Sequence, residues 1–245
     1  MRNLIAAEFL KLRTTKTVWA LLAATVGTTM LAVIAAIMVA SNSKLDLESL
    51  KGVRTVLHVT ASGGIFVLVL GIIISAGEYR QRTATDTFLT TPQRWRVTAS
   101  KLVVATSTGV VFGALAAVSA LGVANHVYAI KGYTFPLGSS QAWTILGGSV
   151  LAAALFGAIG AATGSLVRSQ VTAIVAWLSW LFVIENIIFG LFSTVGRWLP
   201  AALNRSLVRD PNADLLGQGT AGLALLVYGV VIVFAAVLYE SRRDA

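Results

Sequence analysis

Glu185 is the only acidic residue inside the long apolar runs of this chain, and Asn186 follows it directly. A bare carboxylate facing hydrocarbon costs at least a few kcal/mol, so such a group is protonated, paired or turned towards water. Two chemical roles fit it. It can line a solute path or gate together with Asn186, Trp180 and Pro200, or it can titrate as the carrier in proton-coupled transport. The plain alternative is a hydrogen bond that fixes its segment against the stretch that follows, through Arg197 or Arg205. Other reactive chemistry is missing. There are no cysteines, and the two histidines, His58 and His126, lie far apart in sequence. No H-E-x-x-H, G-x-S-x-G or G-x-x-x-x-G-K-[ST] pattern occurs, so zinc hydrolysis, serine hydrolysis and P-loop binding of ATP have no visible seat. The chain is expected not to be an enzyme and to hold no cofactor or metal of its own.

The elements that position these residues follow from composition. Of 245 residues, 56% are hydrophobic and only 12% charged. That balance leaves too little polar surface to cover a globule, so lipid must solvate part of the chain. Six apolar runs are long enough to cross ~30 Å of hydrocarbon: residues 17–40, 59–77, 102–125, 142–166, 171–193 and 219–239. Backbone groups in lipid must bond within their own segment, so the runs are helices. The chain reads as an all-α, polytopic membrane protein, one transmembrane domain over 1–245. Run one follows a basic start but far exceeds the roughly 7–15 residues of a cleaved signal, and is expected to remain as a span.

The formal charge of +9 is read by side of the membrane rather than as a nucleic-acid signal. With the N-terminus inside, twelve Lys and Arg fall on inner segments and seven on outer loops. Both termini are therefore expected to be cytoplasmic, with the lipid bilayer as partner and no nucleic acid. Residues 1–16 place Ile5, Phe9 and Leu12 on one face, as an interfacial helix does. Pro200 can open a short helix, where its missing N–H costs nothing, lying at or dipping into the outer interface. Gly109 with Gly113, and Gly160 with Gly164, permit close helix crossing within the chain.

The segment 78–101 joins runs two and three on the inner side. Thr83-Ala84-Thr85-Asp86 fits a helix-start capping pattern, and Thr91-Pro92 disfavours continuation. A short surface helix carrying Phe88 and Leu89 is expected there, rimmed by Arg80, Arg82, Arg94 and Arg96. It suits docking into a partner's groove, or resting on anionic lipid.

Gly77-Glu78-Tyr79-Arg80, then Thr83, then Leu89-Thr90-Thr91-Pro92-Gln93-Arg94-Trp95 and Lys101, resembles the first cytoplasmic loop of type 2 permeases of ATP-binding-cassette (ABC) transporters. Glu8-Phe9-Leu10-Lys11-Leu12 ahead of run one is also similar, as is the six-span layout along the whole chain. Arg82 departs from the pattern, since many relatives place a glycine before the threonine. The resemblance implies a coupling helix seated on a separate ABC ATP-binding subunit, with Glu78, Arg80, Thr83, Phe88, Leu89, Pro92 and Arg94 at the junction. It implies that ATP and magnesium are held by that partner. Two permease chains, as a homodimer, and two ATPase chains would form an exporter in a bacterial cell membrane, with the outer segment before the last span as gate. A proton-coupled secondary transporter using Glu185 and a non-transporting membrane scaffold stand as rivals.

Overall fold

The computed structural model describes residues 1–43, 45–81, 94–136, 138–211 and 214–241. Among these residues no strand occurs, and six helices are long and apolar enough to cross a membrane. They are span one (Lys16–Asn42), span two (Leu50–Tyr79), span three (Trp95–Ile130), span four (Ser140–Val167), span five (Gln170–Leu191) and span six (Gln218–Glu240). A surface helix, Arg2–Thr14, precedes span one and is divided from it by the extended backbone of Thr15. Alternation of the spans puts this helix, the span two–three connection and the span four–five turn at one end of the bundle, called here the near end.

Span two begins earlier than hydropathy alone implies. Ser49 opens the helix Leu50–Leu57, its hydroxyl accepting from the Gly52 N–H at 3.1 Å. A 3-10 turn, His58–Ser62, then feeds Gly63–Gln81. Lys51 and Arg54, counted in an outer loop by their charge, therefore lie on a helix. The apolar window stops at the charges, but the helix is amphipathic and continues because Val53, Val56 and Leu57 are buried beneath them.

Span four is the centre of the bundle, packed against spans two and three. In its most apolar window 72% of residues are buried, against 11% for span five and 22% for spans one and six. Glycine makes this possible. A Cβ at Gly160 would collide with the Leu68 carbonyl, one at Gly109 would lie 2.5 Å from Ala153 O, and one at Gly157 2.6 Å from Ala105 O. Both G-x-x-x-G pairs thus serve backbone-to-backbone crossings inside the chain, where dispersion rather than the hydrophobic effect holds helices together.

The short helix Pro200–Leu207 starts at Pro200, as expected from the sequence. It is embedded rather than resting at a surface, since Ala202, Leu203, Ser206 and Leu207 are buried against spans four and six. The expected coupling helix, with Thr83, Phe88, Leu89 and Pro92, falls outside the described residues. Arg80 and Arg94 belong to the helices that flank that segment.

Candidate functional site

At the near end, Glu78 gathers three elements. Its Oε2 accepts from Lys101 Nζ at 2.7 Å, and its Oε1 accepts from Lys11 Nζ at 2.7 Å. Lys11 also reaches Glu8 Oε1 at 2.7 Å, one turn back on the surface helix. The result is a chain of two acids and two lysines that joins the surface helix, the end of span two and the start of span three. Lys101 is only 3% exposed and donates as well to the Ile74 carbonyl at 3.3 Å. A lysine so buried is tolerated because its charge is paired and it donates to two acceptors. Burial alone would lower the Lys11 pKa, but hydrogen bonds and charge from Glu78 and Glu8 more than offset it and hold it above 10.5.

A second fastening lies beside the first. Glu240, 1% exposed near the end of span six, accepts from Arg168 Nη2 at 2.8 Å and from the Tyr79 hydroxyl at 3.4 Å. Arg168 closes span four in the left-handed conformation, with φ of 56°, and its N–H returns to the Gly164 carbonyl. Its guanidinium stacks between the rings of Tyr79 and Tyr239, at 5.2 and 5.1 Å. Spans two, four and six are pinned together by this one side chain.

At the far end, Glu185 sits directly after a π-helical turn, Trp180–Ile184. The turn carries one residue more than an α-helical turn would, which rotates Glu185 inward, leaving it 3% exposed. Its Oε2 accepts from the Ala201 N–H at 2.7 Å, the second residue of the Pro200 helix. The Ala202 N–H and the Trp180 indole face the same carboxylate at longer range. Glu185 thus acts as a remote cap: a carboxylate at a helix start meets N–H groups that have no partner in the helix. The sequence-based expectation of a partner in Arg197 or Arg205 is corrected here, because Arg205 pairs with Asp210 at 3.0 Å and covers the Phe189 ring. Asn186 has a separate task. Its amide donates to the Phe182 carbonyl at 2.8 Å, an acceptor in the widened turn. Trp177 donates to Thr163 Oγ1 at 3.1 Å and ties span five to span four.

The four far-end residues singled out in the sequence, Trp180, Glu185, Asn186 and Pro200, converge on one junction between span five and the Pro200 helix. Of the near-end set, Glu78 stands in the ion cluster. Glu8, Lys11, Arg168 and Glu240 were not assigned as partners from sequence, and neither was Asn204. Lys11 and Glu78 are 67 residues apart and Arg168 and Glu240 are 72 apart, separations at which no periodicity or motif operates. The signal that did exist was economy: acids are rare here, so each one near a span end calls for a cation. Among the described residues no cluster of His, Cys, Asp and Glu could hold a metal. No family model and no curated protein matches this sequence.

Proposed function

We propose that this chain is the membrane subunit of an ATP-driven exporter, working as two copies with a separate ATPase. The observation that supports this most is the Glu78 cluster. The two helices flanking residues 82–93 are bonded to each other and to the surface helix, so a force applied to that segment reaches spans two and three without loss in loose side chains. Such an anchored connection suits a docking element, and the residue pattern around it resembles that of ABC permeases. The thin burial of spans one, five and six agrees with a second copy covering part of them. Substrate would then pass between copies, with the Glu185–Pro200 junction at the outer mouth.

The test is co-purification with an ATPase from detergent extracts, followed by ATP hydrolysis in reconstituted membranes. Burial of one large apolar side chain contributes about 1.5–3 kcal/mol, so Phe88→Ala with Leu89→Ala is expected to weaken ATPase binding more than tenfold. Retained binding and hydrolysis in that double variant would remove the segment from the coupling role. An impermeant thiol reagent that labels Thr85→Cys in intact cells would reverse the assigned orientation.

A further inference from the structure

At the far end, a cavity of about 330 Å³ lies between the start of span two, the end of the Pro200 helix and the start of span six. Arg54 and Arg209 border it, and both are half-buried. Each guanidinium is steadied by a glutamine rather than by an acid. Arg209 Nε donates to Gln218 Oε1 at 3.0 Å. Arg54 donates to the Gln141 amide oxygen through Nη2, at 2.8 Å, and through Nε. Neither arginine pairs with a carboxylate among the described residues. Asp210 also lines the cavity, but its side chain is only 8% exposed and its Oδ2 accepts from Arg205 at 3.0 Å. Two cations oriented by neutral partners, beside an acid already paired, leave positive charge that a phosphate group would offset.

Gln218 lines a second cavity as well, a groove of about 510 Å³ between spans four and six. Glycine opens it: a Cβ at Gly147 of span four or at Gly219 of span six would meet nothing within 4 Å. Leu223, at 67% exposure, and Leu151 and Leu226, at 44% each, form its apolar rim towards the bilayer. From Gln218 to Leu226 the groove follows span six for about 12 Å, most of the hydrocarbon depth of one leaflet.

We propose that the two cavities together seat one anionic phospholipid of the far-end leaflet, its phosphate between Arg54 and Arg209 and one acyl chain in the groove between spans four and six. Charge and shape select this occupant jointly. A free phosphate would answer the arginines and leave the groove empty, while a neutral hydrocarbon would do the reverse. Gln218, held by the Thr144 and Leu207 carbonyls at 2.6 and 2.8 Å, stands where head gives way to chain. The site depends on no ATPase partner and holds whether or not the chain transports.

The full chain, purified and delipidated in detergent, is titrated with phosphatidylglycerol and with phosphatidylcholine of the same chains, and bound lipid is counted by native mass spectrometry. One phosphatidylglycerol per chain is expected, held about tenfold tighter than phosphatidylcholine. Arg54→Gln with Arg209→Asn is expected to erase that preference; asparagine tolerates the left-handed backbone at Arg209, where φ is 54°. Gly222→Leu fills the groove, its Cβ meeting only ordinary contacts at 3.5 and 3.7 Å. It is expected to weaken both lipids about tenfold and to keep the preference between them. If either variant fails to fold, Arg209→Asn alone tests the charge and Gly219→Leu tests the groove. Equal binding of the two lipids, or a preference that survives the arginine changes, overturns the proposal. Displacement of the lipid by millimolar inorganic phosphate, or undiminished binding when the groove is filled, means a free-anion site and overturns it equally.

Discussion

Lys101 carries its ammonium into the bundle and meets Glu78 Oε2 at 2.7 Å, so that the start of span three is held to the end of span two by a buried ion pair. Such a pair contributes little against an apolar replacement of both partners but is costly to halve. Lys101→Met is expected to destabilise the bundle by up to about 3–5 kcal/mol, less the share Lys11 retains. Glu78→Leu combined with Lys101→Met should recover part of that loss. Unfolding in mixed micelles across the four variants gives the coupling directly. Simple additivity would mean the pair does not interact.

The Arg168 fastening depends on shape as well as charge. Arg168→Lys keeps the cation but gives up the planar group stacked between Tyr79 and Tyr239. It is expected to be less stable than the native chain. Arg168→Gly relaxes the left-handed backbone yet leaves Glu240 buried without its cation, and is expected to be worse than Lys. Thermal midpoints in detergent would rank the three; Gly above Lys would show that backbone strain outweighs the pair.

Capping by Glu185 predicts a split between two substitutions. Glu185→Gln keeps a carbonyl to accept from Ala201 and is expected to preserve the fold. Glu185→Ala strands that N–H and is expected to cost about 1–3 kcal/mol. Hydrogen exchange over residues 199–207 reads the result locally, and equal protection in the two variants would dismiss the cap.

Asn186 is expected to matter for span five alone. Asn186→Leu removes the side-chain donor that meets the Phe182 carbonyl in the widened turn, and is expected to destabilise span five. Deleting Val183 as well removes the residue in excess, restores an ordinary α-helical turn and is expected to rescue insertion, with Glu185 keeping its phase towards Ala201. Insertion assays combined with exchange at Ala201 separate the two effects.

Between the start of span two and the end of span three, Glu48 clasps Thr134, accepting from its N–H and its hydroxyl at 2.8 Å each. These bonds lower the Glu48 pKa below 4.5. A depressed folded value means stability that is present above the unfolded pKa and lost as pH falls through the folded one. The stability gap between native and Glu48→Gln chains is therefore expected to be full above the usual carboxylate range and to close as pH falls through the lowered folded value. A gap that stays constant over that range would place its origin elsewhere.

Span number and approximate edges were legible because hydrocarbon thickness imposes a length and lipid forbids unpaired backbone. The Pro200 helix was legible for a local reason, proline at a helix start. What escaped was everything set by the third dimension. Leu50–Leu57 looked like loop because its charges face outward while Val53 and Val56 face in. The π turn left no mark, and the contact it accompanies, Glu185 with Ala201, lies sixteen residues on. Glu240, one residue past the last apolar run, is among the most buried acids, which nothing in its local sequence marks.

The close backbone contacts of span four make tolerance to sequence change very uneven along this chain. A methyl group at Gly160, Gly109 or Gly157 would press on a main-chain carbonyl, which cannot rotate aside as a side chain can. Span five, with little packed on its outer flank, can exchange one apolar residue for another at most positions between Val171 and Leu191, apart from Glu185, Asn186 and Trp177. Among sequences descended from this one, span four should hardly drift at Gly148, Gly157, Gly160 and Gly164 while span five wanders within its apolar alphabet. Divergent descendants would then be joined by a handful of fixed small residues rather than by any long shared stretch.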